Sequence, residues 1–314
     1  EDACFEPMEF AVLGASLART GVDKDKGREM LEKAAADASK LNEFLTISGY
    51  AKEALADEEL AASLLAKVEE KAKTLDDYLA LAKTLKDEGA TDAAGDFYAK
   101  AARYCEDMGQ TVVYAKGMVE ILGDKDGARK TLEDAETDCQ FPKDFSALAA
   151  GFKELFDDSD KVAELMHQAA DFAMSGEENL DLATGYWSLL GDKDKAVVAF
   201  GKALPEVNDK AQLLEIAGYA AQEVGAPDLA KQFYAKAEEK MSAAPERLKL
   251  AEAVIKDTGD KGYALEVYSR AAESLTQPND LMSVAADVVD KLGDKAKSGE
   301  IYRKAFSAMS DLGQ

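Results

Sequence analysis

Apolar residues recur along the chain with the period of a helix. A small residue is followed by a large one four positions on and by another small one three further. The series reads Gly27-Leu31-Ala34, Ala61-Leu65-Val68, Ala94-Tyr98-Ala101, Ala128-Leu132-Ala135, Val162-Met166-Ala169, Ala196-Phe200-Ala203, Ala230-Tyr234-Ala237, Ala264-Tyr268-Ala271 and Ser298-Tyr302-Ala305. Steps of four and three put the three residues on one helix face. The large one acts as a knob, and the small ones let a neighbouring helix approach. The closing residues lie 34, 33, 34, 34, 34, 34, 34 and 34 positions apart. A helical unit of this size cannot bury its apolar face alone, so the pattern predicts stacked units: an all-α solenoid of about nine helix-turn-helix repeats.

The turns carry their own signal. Gly21, Gly89, Gly123, Gly191, Gly225, Gly259 and Gly293 precede these helices, where a left-handed residue closes the helix before. Asp124, Asp192, Asp260 and Asp294 follow directly and suit the N-cap of the next helix. The first helix of each unit has a looser pattern, such as Phe10-Leu13-Gly14-Leu17 or Leu214-Ala217-Gly218-Ala221. Polar turns join the units, four of them with Pro142, Pro205, Pro245 or Pro278. The fifth unit, around Phe145 to Phe156, fits the register least well.

With these residues in hand, the chain resembles the tetratricopeptide repeat (TPR) or TPR-like helical-repeat family. The 34-residue pitch, the large-Leu-Gly-large first helix and the Ala-aromatic-Ala second helix carry the resemblance. It covers residues 6–310. Proline is not kept at one place at the unit ends, and the first-helix aromatic is mostly Leu, Met or Val here. The resemblance implies one right-handed solenoid over 1–314, with repeats near 6–41, 42–74, 75–108, 109–142, 143–176, 177–210, 211–244, 245–278 and 279–314. It also implies a concave surface lined by first helices. On this chain that surface would present Tyr50, Glu53, Lys83, Lys86, Glu120, Asp181, Glu215, Tyr219, Gln222, Asp287 and Asp290. The implied function is a non-enzymatic scaffold whose acidic groove binds a basic or neutral segment of another protein.

Composition sharpens that expectation. The 314 residues hold 62 Asp and Glu against 38 Lys and Arg, a net charge of −24. Such a charge opposes nucleic acid and anionic membranes, which need clustered cations. Apolar residues make up 47%, enough for an extended core, yet no run is long enough to insert into a membrane. The expectation is a soluble chain, cytoplasmic or exported after loss of an N-terminal leader, since it opens on Glu1 and not Met.

Little chemistry is available. His167 is the single histidine and lies on a second helix, and three cysteines cannot build a multi-cysteine metal array. Neither a catalytic constellation nor a cofactor or metal site is expected. Asp23-Lys24-Asp25 and Asp124-Lys125-Asp126 look like the start of a calcium loop, but a turn with an N-cap accounts for them. Cys105 and Cys139 are expected as half-buried thiols, and Cys4 lies near the start of the chain. A column of bases, Lys33, Lys67, Lys100, Lys202, Lys236, Arg270 and Lys304, is expected to pair with acids one turn away on the same helix, as Glu300 with Lys304. Apolar residues at the two ends, Phe5, Met8, Ile301, Phe306 and Met309, suggest an alternative role: a structural subunit that joins copies end to end, or coats a larger complex.

Overall fold

The computed structural model describes residues 6–312, and every regular element among them is helical. Eighteen α-helices run in sequence: α1 (Pro7–Thr20), α2 (Lys24–Asp37), α3 (Leu41–Tyr50), α4 (Glu58–Lys71), α5 (Leu75–Asp87), α6 (Thr91–Ala101), α7 (Met108–Gly117), α8 (Lys125–Ala135), α9 (Pro142–Phe156), α10 (Ser159–Phe172), α11 (Gly176–Leu190), α12 (Lys193–Ala203), α13 (Lys210–Gln222), α14 (Pro227–Glu239), α15 (Ala244–Thr258), α16 (Lys261–Ser274), α17 (Pro278–Asp287) and α18 (Lys295–Leu312). The eighteen helices fall into nine consecutive pairs, an all-α helical repeat.

One backbone feature sets the register of all nine. Gly21, Gly89, Gly123, Gly191, Gly225, Gly259 and Gly293 adopt φ between 64° and 82° at the end of each first helix. Repeats two and five have no glycine there, and Ala56 (φ 56°) and Asp157 (φ 50°) take the same left-handed turn. In repeats two, four and nine the helix widens into a π-helical turn just before it, at Ala51–Leu55, Met118–Leu122 and Val288–Leu292. The next helix then starts on an aspartate cap. Asp124, Asp192, Asp260 and Asp294 accept the N–H groups of Gly127, Lys195, Tyr263 and Lys297 at 2.8–3.0 Å. Each cap satisfies an otherwise orphaned donor. Pro142, Pro245 and Pro278 lie in the first turns of α9, α15 and α17, where the missing N–H costs nothing.

The chain divides into two compact units. Residues 1–140 and 150–158 form the first, and residues 141–149 and 159–314 the second, so α9 contributes to both. In the first unit Leu31, Tyr78, Tyr98 and Leu132 are at most 1% exposed, and Tyr98 stacks on Tyr114 at 4.6 Å. In the second, Met166, Phe233, Tyr234 and Tyr268 are equally buried. The knob pattern read from the sequence describes this core, with two deviations. In repeat two Leu64 is buried and Leu65 half-buried, and in repeat nine Tyr302 is exposed. No described helix is long and apolar enough to cross a membrane.

Candidate functional site

All eleven expected groove residues share one register with the left-handed turns. Glu53, Lys86, Glu120, Gln222 and Asp290 lie three positions before the left-handed residue of their own repeat. Tyr50, Lys83, Tyr219 and Asp287 lie six before it, and Asp181 and Glu215 ten before it. Offsets of three, six and ten fall on one helix face. First helices of successive repeats touch within each unit, α1 with α3, α3 with α5, α5 with α7, and α13 with α15. In the first unit the helices carrying Tyr50, Lys83 and Lys86 are thereby neighbours, and in the second Gln222 meets Asp257 of the next first helix.

Charge on this face is mixed with an acidic excess. The three columns hold Glu53, Glu120, Glu154, Asp181, Glu215, Asp287 and Asp290 against Lys83, Lys86, Lys249 and Lys256. Several are tied to a neighbouring repeat. Arg19 pairs with Glu53 at 3.1 Å and lies 5.6 Å from the Tyr50 ring centre. Lys86 donates to the Glu120 carbonyl at 2.8 Å, and Gln222 to Asp257 at 2.6 Å. Within its own repeat Asp287 pairs with Lys291 at 3.2 Å, and Tyr219 packs edge-on to Phe200 of the repeat before. Lys83, Asp181, Glu215 and Asp290 are exposed. Although Asp181 is exposed, partial desolvation, followed by the charges of Glu177 and Glu178, pushes its carboxyl above the ordinary aspartate value.

The column six before the turn is interrupted in the middle of the chain. Gly117, Gly151 and Gly185 occupy it in repeats four to six. A Cβ there would lie 3.0 Å from the Tyr98 ring, 2.9 Å from Val112 and 2.6 Å from Met166, respectively. Two of these neighbours, Tyr98 and Met166, are knobs of the preceding repeat. In these repeats the position serves the core rather than a surface.

The basic column works differently from expectation. Four members, Lys100, Lys236, Arg270 and Lys304, reach back to the preceding repeat, and of these Arg270 also pairs with Glu266 one turn away on its own helix, as expected. Lys236 donates to the carbonyls of Leu204 and Pro205, both at 2.7 Å, and Lys304 to those of Ala272 and Glu273 at 2.6 and 3.0 Å. Lys100 pairs with Glu69, and Arg270 clamps Glu238 with two bonds of 2.7 and 2.8 Å. Lys33 lies over the Phe10 ring. Glu300 pairs with Lys297, not Lys304. A cation at the open carbonyls of a helix end is doubly favoured, by hydrogen bonding and by the helix dipole. Glu238, 8% exposed, went unnoticed in the sequence.

The remaining candidates are quickly placed. Asp23 and Asp124 cap Lys26 and Gly127. Among the described residues no three His, Cys, Asp or Glu side chains gather in a way that could hold a metal. His167 is exposed. Cys105 is half-buried, and burial pushes its thiol above the usual value, which suppresses the reactive thiolate. Cys139 is also half-buried, its sulfur 3.9 Å from the Ala135 carbonyl. Of the end residues, Phe306 and Met309 are exposed, Met8 is half-buried, and Ile301 is 4% exposed inside its own hairpin and offers no surface. Phe5 and Cys4 lie outside the described residues.

No family model and no curated protein matches the chain. Among solved structures it is similar to yeast Tom70, at 17% identity and a TM-score of 0.35, over 99% of this chain and 66% of that one. It is also similar to the TPR domain of P58(IPK), at 16% identity and a TM-score of 0.24, over 98% and 99% of the two chains. A circular tandem repeat protein of novel repeat topology matches at 14% identity and a TM-score of 0.11, over 98% and 58%. The all-α repeat is defined by its nine helix pairs and their common left-handed turn.

Proposed function

We propose that this protein is a non-enzymatic binding scaffold whose first-helix face takes a basic or neutral segment of another protein. The supporting observation is the shared register of the three first-helix columns, with seven carboxylates to four ammonium groups. A stiff row of like positions lets several weak contacts add, and complementary charge steers and orients the partner. The test is binding of three fluorescent peptides of equal length, one Lys-rich, one neutral and one Glu-rich, over a salt series. Binding should follow the order basic, neutral, acidic, and the basic peptide should weaken as salt rises. Equal binding of the acidic peptide, or no binding of the other two, overturns the reading.

A second reading has one observation in its favour. Tyr302 occupies the knob position and is 42% exposed, whereas Phe200, Tyr234 and Tyr268 are at most 2% exposed. Met309 on the same helix is 53% exposed. End-to-end assembly of copies through this face would cover them. Light scattering across a concentration series decides it: growth of the particle mass supports assembly, and a constant monomer mass excludes it.

A further inference from the structure

The residue just before the left-handed turn is Thr20, Leu55, Glu88, Leu122, Phe156, Leu190, Val224, Thr258 and Leu292 in the nine repeats. Six are apolar, two are threonine, and one is a carboxylate. Glu88 thus breaks a column that otherwise covers the turn with carbon. Beside it opens a cleft of about 170 Å³ between the turns of repeats two and three. Leu45, Ala61 and Leu85, each at most 6% exposed, and the half-buried Leu65 contribute its apolar lining. Small residues leave the space: the Glu88 carboxylate is the nearest group, at 3.9 Å, to where a Cβ on Gly49 would stand.

The charged groups around the cleft are Glu53, Glu58, Glu88 and Lys52. Arg19 engages Glu53 at 3.1 Å, whereas Glu88 has no ion pair or hydrogen bond from its carboxylate among the described residues. Glu88 is exposed, and partial desolvation beside the cleft, followed by the Glu53 charge, holds its carboxyl above the ordinary glutamate value. An apolar cavity of about 150 Å³ accommodates a benzene ring, so the cleft has room for an unbranched four-carbon stem. A long apolar stem ending in a cation suits such a site, because it buries methylenes while its head stays at the wet rim.

We infer that this cleft receives one lysine side chain of the partner segment, its stem against Leu45, Leu65 and Leu85 and its ammonium at Glu88. The inference rests on the scaffold reading above and names one specific anchor within it. A segment with a lysine beside residues small enough to let it reach the turn is the recognised chemistry.

The probe is the Lys-rich fluorescent peptide, with a twin in which the lysines are acetylated. Three variants accompany it: Glu88→Gln, which removes the charge, Ala62→Met, which fills the cleft from an exposed lining position, and Glu300→Gln, which removes a second-helix charge outside the cleft and the first-helix columns. Loss of a charge-assisted bond should weaken binding about tenfold or more in Glu88→Gln. Ala62→Met should match it, Glu300→Gln should bind as wild type does, and the acetylated twin should bind wild type as poorly as the peptide binds Glu88→Gln. Circular dichroism melts check that each variant is folded, and Glu88→Gln carries the test if Ala62→Met is not. If wild type binds the peptide and both cleft variants bind it equally well, the anchor is wrong and the scaffold reading stands. If wild type binds no basic peptide, both fall together.

Discussion

Gly14 and Gly27 face each other across the first hairpin so closely that a Cβ on either would lie 2.7 Å from the carbonyl oxygen of the other. Both contacts are to backbone, which cannot rotate away. Alanine in place of glycine within a helix ordinarily gains about 0.5–1 kcal/mol. Overpacking of a tight core costs about 1–3 kcal/mol. The second effect wins here, so Gly14→Ala and Gly27→Ala should each lower stability by about 0.5–2 kcal/mol net. Urea unfolding of the two single variants checks this, and a gain in midpoint would contradict the contact.

The left-handed turns make the opposite prediction at two places. Ala56 holds a backbone conformation that costs an L-residue about 1 kcal/mol and glycine almost nothing. Ala56→Gly should therefore stabilise repeat two, and Gly191→Ala should destabilise repeat six by a similar amount. Asp157→Gly should gain less, because aspartate tolerates this region and Asp157 also pairs with Lys153 at 2.7 Å. Midpoints from chemical denaturation order the three variants.

Inter-repeat cations should matter more than their exposed position suggests. Lys236 bridges to two carbonyls at the end of α12. Lys202 holds the equivalent column position but makes no such bond among the described residues. Lys236→Met should cost about 0.5–1.5 kcal/mol, and Lys202→Met close to nothing. Hydrogen exchange at the C-terminal amides of α12 would rise in the first variant alone.

The pH dependence has two signs. Glu178 and Asp77 accept backbone N–H bonds, from Ser175 and from Lys73 foremost, which hold their carboxyls below the ordinary range. Their stabilisation is present above the unfolded value and lost as pH falls through the folded one. Glu88 is raised, so its contribution is complete at low pH and lost as pH rises through its folded value. At about pH 7 Glu178→Gln should lower the unfolding midpoint, whereas Glu88→Gln should keep or raise it. Near pH 3 both differences should shrink. A Glu88→Gln protein that is more stable yet binds less well would separate a role in recognition from one in folding.

Much of the fold was legible because the repeat supplies nine copies of each signal. The seven turn glycines and four aspartate caps fall where the spacing places them. Ala56 and Asp157 were illegible, since neither residue type announces a positive φ and only the neighbouring repeats force it. The cross-repeat bonds of the basic column were illegible because side chains 31 or 32 residues apart become neighbours only through stacking, whereas an acid four positions away, as Glu266 is from Arg270, is visible in the sequence. The eleven face residues were placed by register alone. Their ties to Arg19 and Asp257 were not visible, because each crosses between repeats, whereas Asp287 and Lys291 lie four positions apart in one repeat. Glu88 could have been found by aligning the units on their turns and asking which column holds one charge among apolar residues.

The central claim is that recognition occurs on the first-helix face. Zero-length carbodiimide coupling of the bound Lys-rich peptide, followed by mass spectrometry, tests it most directly, since it joins lysines to carboxylates in contact. The account predicts products at Glu53, Asp181 and Glu215, and the cleft anchor adds one at Glu88. Products concentrated on second-helix carboxylates such as Glu29, Glu266 and Glu300, or spread evenly over both faces, would contradict it.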